Sequence, residues 1–405
     1  MDGKMSIKTK PTVYTCFLCL LMITVAQAQP KIPQSPKQAT HLKVNNKPLN
    51  RVDSLIYTSI RDHAFPGAAV AIGMGSSIEK LQGYGHYSYR KQIHPITPYT
   101  DFDLASMTKV IATTTAAMQL YEDGRLALDS TVAHYLPDFA QRGKDQITIR
   151  QLLTHSSGLK PYIRPKKEGL HSRKQILDTV MAPKLKYTPG SKSVYSGLNM
   201  ITLMRVIETI TGQEFPTYCE QHIFKPLRMA NTGFRPGGLT DTTNFAPTAN
   251  HQRNVFQGVV NDPLARAMGG VSGNAGLFST ASDLSKFAFM LSHKGRIYGR
   301  QFLKPSTIEL FTHRANVPNS TRALGWDTKT EEGYSSAGHL FGPRSFGHTG
   351  YTGTSIWFDP DQQLFAILLT NQVYPKGHHD AIFTVRSKFY DLVYSRLVGA
   401  TNKPQ

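Results

Sequence analysis

Apolar residues form short strand-like runs near both ends of the chain. Residues 67–73 and 78–84 are two such runs joined by a Gly/Ser turn, which is typical of paired strands. Residues 354–358 and 364–369 are similar runs separated by Asp-Pro-Asp-Gln, which indicates a hairpin. This pattern predicts one antiparallel sheet that contains strands from both ends of the chain.

Helical spacing of apolar residues dominates the sequence between these strands. A long helix is predicted over 107–123, and Gly124 stands where a glycine commonly ends a helix. Further helices are predicted over 52–63, 147–153, 198–210 and 381–397. The predicted fold class is therefore α+β, with an antiparallel sheet flanked by helices and a second, mostly helical lobe.

The N-terminal region differs from the rest of the chain. Three lysines precede an apolar run over 13–25, and Ala26-Gln27-Ala28 follows it. This arrangement is typical of a secretory signal peptide over 1–28, and a polar, Pro- and Lys-rich linker is predicted over 29–46. We therefore expect a secreted protein, periplasmic in a bacterium with an outer membrane, with no stable membrane span after cleavage. An uncleaved membrane anchor is the alternative.

The rest of the chain is long enough for one large domain, predicted over 47–397. Its sheet lobe is expected to comprise about 47–105 and 270–397, and its helical lobe about 106–269. The whole sequence has 405 residues, of which 40% are hydrophobic and 18% charged, and this composition excludes wholesale disorder.

Charge and cysteine content restrict the classes of partner and site. The formal net charge of +19 favours an anionic partner such as a cell-wall polymer. Nucleic acid is not expected, because the sequence has no basic recognition helix or zinc knuckle and begins with an export signal. Only Cys219 follows the predicted signal peptide, and no HExxH-type spacing occurs, so neither a metal nor another cofactor is predicted.

A Ser-x-x-Lys sequence can place a hydroxyl and an amine on one helix face, where the amine can accept the hydroxyl proton in its neutral form. The chain has four such pairs, which begin at Ser77, Ser88, Ser106 and Ser157. Only Ser106, paired with Lys109, opens a long helix with an apolar face. A helix-capping serine beside a solvated lysine remains the alternative interpretation.

Two later segments carry further candidate groups. Tyr195 precedes a predicted helix and is a candidate second proton carrier, although a packing tyrosine is the commoner case. His348-Thr349-Gly350-Tyr351 begins a predicted strand, and its glycine would let a ligand approach the backbone closely. A tight turn is the structural alternative for this segment.

Taken in order, these segments resemble the three motifs of the serine β-lactamase and penicillin-binding protein superfamily. The motifs are Ser106-Met107-Thr108-Lys109, Tyr195-Ser196-Gly197 and His348-Thr349-Gly350. The likeness extends over about residues 50–395 and includes the segments 123–129, 147–159 and 276–284. It implies a β-lactamase/transpeptidase-like fold with the active site between a sheet lobe and a helical lobe.

The resemblance also implies residue roles. Ser106 would be the acylated nucleophile, with Lys109 and Tyr195 sharing the general-base and proton-relay work. His348, Thr349 and Gly350 would line the substrate cleft. The backbone N–H groups of Ser106 and Tyr351 would form the oxyanion hole.

The chain departs from the family pattern at two motif positions. Gly197 replaces an asparagine, and Asn199 is the candidate to supply the missing amide to the substrate. His348 replaces the lysine of most β-lactamases, and histidine is only partly charged at neutral pH. Both changes favour the peptidase and esterase branches over an efficient β-lactamase. His155 is interpreted as a structural histidine, because no Gly-x-Ser-x-Gly elbow accompanies it.

The resulting expectation is a secreted serine hydrolase that forms an acyl-enzyme on Ser106. Its expected substrate is a D-Ala-D-Ala-type peptide of peptidoglycan or a small ester. The alternatives are a β-lactamase and a non-catalytic wall-binding protein with the same fold.

Overall fold

The apolar runs at the two ends of the chain meet in one sheet. The computed structural model describes residues 1–3, 42–90, 94–182, 184–234, 241–377 and 380–399. In these residues the strands are β1 (Gly67–Met74), β2 (Ser77–Gly85), β3 (Phe102–Asp103), β4 (Gly233–Phe234), β5 (Thr248–Ala249), β6 (Val255–Phe256), β7 (Leu277–Ser279), β8 (Arg296–Ile297), β9 (Arg300–Gln301), β10 (Asp327–Thr328), β11 (Phe346–Thr349), β12 (Ser355–Asp359) and β13 (Leu364–Thr370).

Helices are the main regular structure between β2 and β10, and a further helix follows the last strand. The α-helices are α1 (Asn50–Arg61), α2 (Thr115–Glu122), α3 (Val132–Tyr135), α4 (Ile149–Leu153), α5 (Pro165–Glu168), α6 (Arg173–Met181), α7 (Gly197–Thr211), α8 (Phe215–Cys219), α9 (Pro263–Ala267), α10 (Ala281–Ser292), α11 (Pro305–Thr312) and α12 (Ala381–Leu397). Short 3₁₀ segments lie at Ala105–Met107 and Pro137–Gly143, and π-helical segments at Lys109–Thr114 and Glu220–Phe224.

The main sheet has six strands in the order β10-β11-β12-β13-β1-β2, and every neighbouring pair is antiparallel. The predicted hairpins β1–β2 and β12–β13 are therefore confirmed. The pairing of β1 with β13 joins residues near 70 to residues near 368. As a result, strands from the N-terminal and C-terminal parts of the chain lie side by side in the interior of the sheet.

Alternate residues of β1 face two separate hydrophobic cores. Ala69 and Ala71 belong to the larger core, which includes residues of α2, α7 and α10, whereas Val70 and Ile72 belong to a core shared with α1 and α12. Because side chains alternate across a strand, this arrangement buries both faces of the sheet. Helices therefore cover both faces of this antiparallel sheet.

The chain joins the fold slightly before the predicted domain start. Lys43 O accepts a hydrogen bond from Ile78 N, and Asn45 N donates to Ile78 O, both at 2.8 Å. The end of the predicted linker thus runs alongside β2. Almost all of the predicted signal peptide, and the linker up to residue 41, lie outside the described residues. Within the part of the chain that is described, no helix is long and apolar enough to cross a membrane.

The predicted helix over 107–123 is helical throughout but not uniformly α-helical. A 3₁₀ turn leads into π-helical residues 109–114, and regular α-helix begins only at Thr115. Thr115 Oγ1 donates to the carbonyl of Val110 at 2.9 Å, five residues earlier. This contact accompanies the wide turn, and π-helical turns of this kind are frequent at functional sites.

Candidate active site

Ser106 lies in a turn that a buried carboxylate holds in place. Asp103 Oδ1 accepts a hydrogen bond from Ala105 N at 2.8 Å, and Asp103 Oδ2 accepts one from Asn261 N at 2.7 Å. Ala105 has a positive φ of 46°, a conformation that costs an L-residue about 1–2 kcal/mol. The half-buried Ser106 follows directly. The tethered turn therefore fixes where the serine hydroxyl lies.

Burial dominates the electrostatics of Asp103. Its removal from water raises the pKa of the carboxyl to about 6, although the two backbone hydrogen bonds favour the ionised form. Sequence reasoning did not single out this aspartate, because its partner Asn261 lies far along the chain.

Lys109 is buried beside Ser106. Its Nζ forms a 3.0 Å hydrogen bond with Ser106 Oγ and donates to the backbone carbonyl of Asn274 at 2.7 Å. Thr113 Oγ1 donates to the neighbouring carbonyl of Gly273, also at 2.7 Å. The loop at 273–274 is therefore fastened to the helix that carries the serine and the lysine.

The other Ser-x-x-Lys pairs have different surroundings. Lys80 forms an ion pair with Asp53, and Lys160 lies 3.5 Å from Glu168. Lys91 lies outside the described residues. Among the pairs within the described residues, only Ser106 and Lys109 are joined by a hydrogen bond, and their catalytic role stays a prediction.

Tyr195 lies over Lys109 at the start of α7. Its ring centroid is 4.9 Å from Lys109 Nζ and 5.0 Å from Arg322 Cζ. The same ring lies 4.7 Å from the ring of His155 and 6.1 Å from that of His348. The three sequence motifs therefore meet around one partly exposed tyrosine.

His155 supports this tyrosine from inside the protein. Its Nδ1 accepts a hydrogen bond from Ser196 N at 3.2 Å, and burial, reinforced by the charges of Arg322 and Lys109, holds its pKa well below the usual range. The imidazole is therefore neutral at pH 7 and packs against the Tyr195 ring. The predicted structural role of His155 agrees with this placement, although its Nε2 has no partner among the described residues.

Asn199 does not lie where the sequence analysis expected it. Its side chain is fully buried, with Oδ1 accepting from Ser157 Oγ at 2.6 Å and Nδ2 lying 3.2 Å from His155 Nδ1. Both ends of the amide are thus engaged beneath the site. The expectation that Asn199 supplies an amide to the substrate is therefore wrong in this structure.

His348 lies on β11 and is neutral rather than partly charged. Its Nδ1 lies 2.7 Å from the carbonyl of Thr349 and donates to it, and burial, with Arg322 and Lys109 nearby, holds its pKa well below the usual range. The third motif therefore contributes no cation through this residue. A permanent charge beside Tyr195 belongs to Arg322, which lies 3.8 Å from Asp327 and which sequence reasoning missed.

The turn after His348 is fastened to the turn that carries Ser106. Thr352 Oγ1 donates to the carbonyl of Asp103 at 2.6 Å, and Thr354 Oγ1 donates to that of Leu104 at 3.1 Å. A Cβ added to Gly350 would overlap Leu104 O, so this close approach requires glycine. These contacts hold the two turns in one arrangement.

A buried arginine of α12 completes this arrangement. Arg386 Nη2 donates to the carbonyls of Gly350 and Thr354, at 2.7 and 2.8 Å. Tyr351, which follows Gly350, is partly exposed, and its hydroxyl lies 3.1 Å from His251 Nε2. Sequence spacing gave no signal for Arg386, because its contacts cross more than thirty residues.

No group of three or more His, Cys, Asp or Glu residues that could hold a metal ion occurs within the ranges that the structure describes. The functional groups that the structure brings together are a serine hydroxyl, a lysine amine and a tyrosine ring. This set is suited to acyl transfer by a serine nucleophile.

Comparison with known proteins identifies the family over most of the chain. The profile of the family described as Beta-lactamase matches residues 52–388. The N-acetylmuramyl-L-alanine amidase of Bacillus subtilis strain 168 is 33% identical over 366 residues, which cover 81% of this chain and 82% of that protein. An Escherichia coli K12 protein with the provisional name D-alanyl-D-alanine carboxypeptidase is 30% identical over 394 residues, which cover 88% of this chain and 90% of that protein.

Solved structures share the fold at lower identity. EstCE1, described as a hydrolase with promiscuous acyltransferase activity, superposes with a TM-score of 0.70 at 24% identity, covering 85% of this chain and 97% of that one. A class C beta-lactamase from Rhodobacter sphaeroides gives a TM-score of 0.68 at 20% identity, covering 86% and 99%. The predicted α+β, β-lactamase/transpeptidase-like fold is confirmed. The chain belongs to the Beta-lactamase family and is a serine hydrolase of that family.

Proposed function

We propose that this protein is an exported hydrolase that forms an acyl-enzyme on Ser106 and acts on a D-Ala-D-Ala-type peptide of peptidoglycan, as a carboxypeptidase does. The observation that carries the catalytic part is the 3.0 Å hydrogen bond between Ser106 Oγ and Lys109 Nζ, with the Tyr195 ring 4.9 Å from that nitrogen. A binding protein without activity has no chemical need for this trio.

In the proposed first step, Ser106 Oγ attacks the carbonyl carbon of the scissile bond, and its proton passes to Lys109 in its neutral form, either directly or through the Tyr195 hydroxyl, which gives up its own proton as it takes one. The carbonyl electrons move onto oxygen, where the backbone N–H groups of Ser106 and Tyr351 would stabilise the charge. When the tetrahedral species collapses, the C–N bond breaks and the leaving amine takes up the proton. Water then attacks the ester carbon by the same route and releases Ser106.

Two observations support a cell-wall peptide as substrate. Relatives at 30–33% identity carry the names D-alanyl-D-alanine carboxypeptidase and N-acetylmuramyl-L-alanine amidase, and both names refer to amide bonds. The chain also carries a formal net charge of +19, which would favour association with an anionic wall polymer. Export to the wall compartment is supported by the signal-like pattern over 1–28.

A small ester is the second candidate substrate. The structural neighbour EstCE1 is described as a hydrolase with acyltransferase activity. The neutral His348 also fits this class, because an ester without a carboxylate does not need a cation at the third motif. A β-lactam and a D-Ala-D-Ala peptide both carry a carboxylate, and for either of them Arg322 rather than His348 is the candidate cation near the site.

A labelling and hydrolysis panel tests the proposal. A fluorophosphonate or fluorescent penicillin should label the wild-type protein and the Ser77→Ala variant, whose serine belongs to another Ser-x-x-Lys pair. Labelling should be lost in Ser106→Ala and fall by about 10²–10⁴-fold in Lys109→Met. Equal labelling of wild type and Ser106→Ala would refute the nucleophile.

Hydrolysis assays with the same wild-type and variant proteins identify the substrate class. D-Ala-D-Ala peptide, a muramyl-L-alanine peptide, p-nitrophenyl esters and nitrocefin are compared at matched concentrations. Release of D-alanine in a Ser106-dependent manner supports the carboxypeptidase proposal. Ser106-dependent turnover of esters alone would overturn the peptide substrate while leaving the nucleophile intact.

A further inference from the structure

The glycine of the second motif has a side chain from a distant loop packed against it. A Cβ added to Gly197 would lie 3.5 Å from Asn274 Nδ2 and 3.6 Å from Asn274 Cβ, which are ordinary contact distances. The backbone of Gly197 does not have a left-handed φ. The glycine is therefore not required by backbone conformation, and the amide of the buried Asn274 lies next to the position that a side chain at residue 197 would occupy.

The orientation of this amide follows from its hydrogen bonds. In the structure, Ser272 Oγ lies 2.6 Å from Asn274 Oδ1 and donates to it, and the amide is placed with Nδ2 on the Gly197 side. Nδ2 has no acceptor among the residues that the structure describes, yet it is not an enclosed polar atom. Its N–H groups are thus available to an acceptor that enters from outside the protein.

The same asparagine is fixed relative to the catalytic groups. Its backbone carbonyl accepts the 2.7 Å hydrogen bond from Lys109 Nζ, and Lys109 in turn contacts Ser106 Oγ. A Cβ added to Gly273 would overlap Met200 O, so the loop lies directly on α7. Asn274 therefore reaches the site from a rigidly packed loop.

We infer that Asn274 is a specificity-determining residue that supplies the side-chain amide at the position left open by Gly197. Its Nδ2 donates a hydrogen bond to a carbonyl oxygen in the acyl part of the substrate. The ligand class is an acyl group that contains a peptide bond, rather than a simple alkanoyl group. This inference rests on the proposed acylation of Ser106.

Matched esters isolate this hydrogen bond. An N-benzoylglycyl aryl ester and a 4-phenylbutanoyl aryl ester have the same leaving group and similar length, but only the first has an amide carbonyl in its acyl chain. Each kcat/KM is divided by the rate of spontaneous hydrolysis, and the ratio between the two esters is the readout. A displaced Lys109 would lower kcat/KM for both esters by the same factor, and such a common factor cancels in the ratio.

The ratio is expected to fall about tenfold in Asn274→Ala, the loss typical of one hydrogen bond. Gly197→Asn alone should also impair the enzyme, because two side chains then compete for one space. In the double variant Gly197→Asn/Asn274→Ala the amide is moved rather than removed, so the ratio should recover. Asn254→Ala, in an exposed loop, serves as the matched control.

Two results would overturn the assignment of Asn274. One is an equal loss of activity on both esters in Asn274→Ala, which indicates a structural role through Lys109. The other is a reduced ratio that Gly197→Asn does not restore. Absence of both turnover and Ser106 labelling in the wild type would instead refute the proposed function, and this inference with it.

Discussion

The substitution Asp103→Asn tests whether a buried carboxylate presents Ser106 for reaction. The carboxylate accepts hydrogen bonds from Ala105 N and Asn261 N, at 2.8 and 2.7 Å. Asparagine keeps one acceptor oxygen but directs an NH₂ group at the other donor. The turn at Ala105 therefore loses part of the restraint on its positive φ.

Opposing contributions keep the expected change in stability small. Burial raises the pKa of Asp103 from 3.8 to about 6, so ionisation is disfavoured by about 3 kcal/mol at neutral pH. That penalty is the net value after the two backbone hydrogen bonds have favoured the ionised form. Asparagine removes the penalty but leaves a buried donor unpaired, which costs about 1–3 kcal/mol, so the free energy of unfolding should change by less than about 2 kcal/mol.

The pH dependence of stability should change as well. Because the folded protein holds the Asp103 proton more tightly than the unfolded chain does, this residue contributes most stability below pH 3.8. The contribution is lost as the pH rises to about 6. Asp103→Asn should lack this decline, which denaturant unfolding across the same pH range measures.

Activity should fall more than stability. The positive φ of Ala105 costs about 1–2 kcal/mol. If Asp103 no longer holds the turn in this conformation, the population of the reactive turn falls by about 5–30-fold. The rate of Ser106 labelling by a fluorophosphonate measures this population directly. Ala105→Gly should restore most of the rate in the Asp103→Asn background, because glycine adopts a positive φ without strain.

The exposed carboxylate of Asp129 provides the matched control. Asp129→Asn removes an equal charge and should leave the labelling rate unchanged. An Asp103→Asn protein that labels as fast as this control would refute the proposed restraint. Failure of Ala105→Gly to restore the rate would show that Asp103 acts in some other way.

Three further predictions concern the groups around the site. Arg386→Met should slow labelling of Ser106 by about 10–100-fold, because it frees the turn that carries one proposed oxyanion donor. Replacement of the exposed Arg396, near the end of the same helix, should leave the labelling rate unchanged. Arg322→Gln should raise the pKa of both His155 and His348, observed by NMR of the imidazoles, since the Arg322 charge depresses both values. The same imidazoles stay neutral when folded, so the free energy of unfolding should decrease by about 0.7 kcal/mol for each from pH 7 to pH 6, because a histidine of the unfolded chain is only partly protonated around its pKa of about 6.5; a flat profile would contradict their depressed pKa values.

Local sequence patterns predicted the elements whose stabilising contacts are close in sequence. The hairpin strands and the helix over 381–397 follow from apolar periodicity and turn residues. The order of the motifs also predicted that Ser106, Lys109 and Tyr195 lie in one site. The wide helical turn after Lys109 was not predicted, because it accompanies a specific side-chain contact between Thr115 and Val110.

Asn199 shows where sequence proximity misleads. Two residues along an α-helix rotate a side chain by about 200°, so a residue two places after Gly197 faces nearly the opposite side of α7. The amide that does lie against Gly197 belongs to Asn274, which the sequence separates from it by a large part of the helical segment. Arg322 and Arg386 were missed for the same reason, since their partners come from other parts of the chain.

The pairing of β1 with β13 inside the main sheet has a consequence for biosynthesis. A ribosome releases residues near 70 long before it makes their hydrogen-bond partners near 368. Thr352 and Thr354, which tether the serine turn, also emerge late. A nascent or prematurely terminated chain therefore lacks both a finished sheet and an assembled nucleophile, so hydrolytic capacity should arise only once synthesis has passed β13.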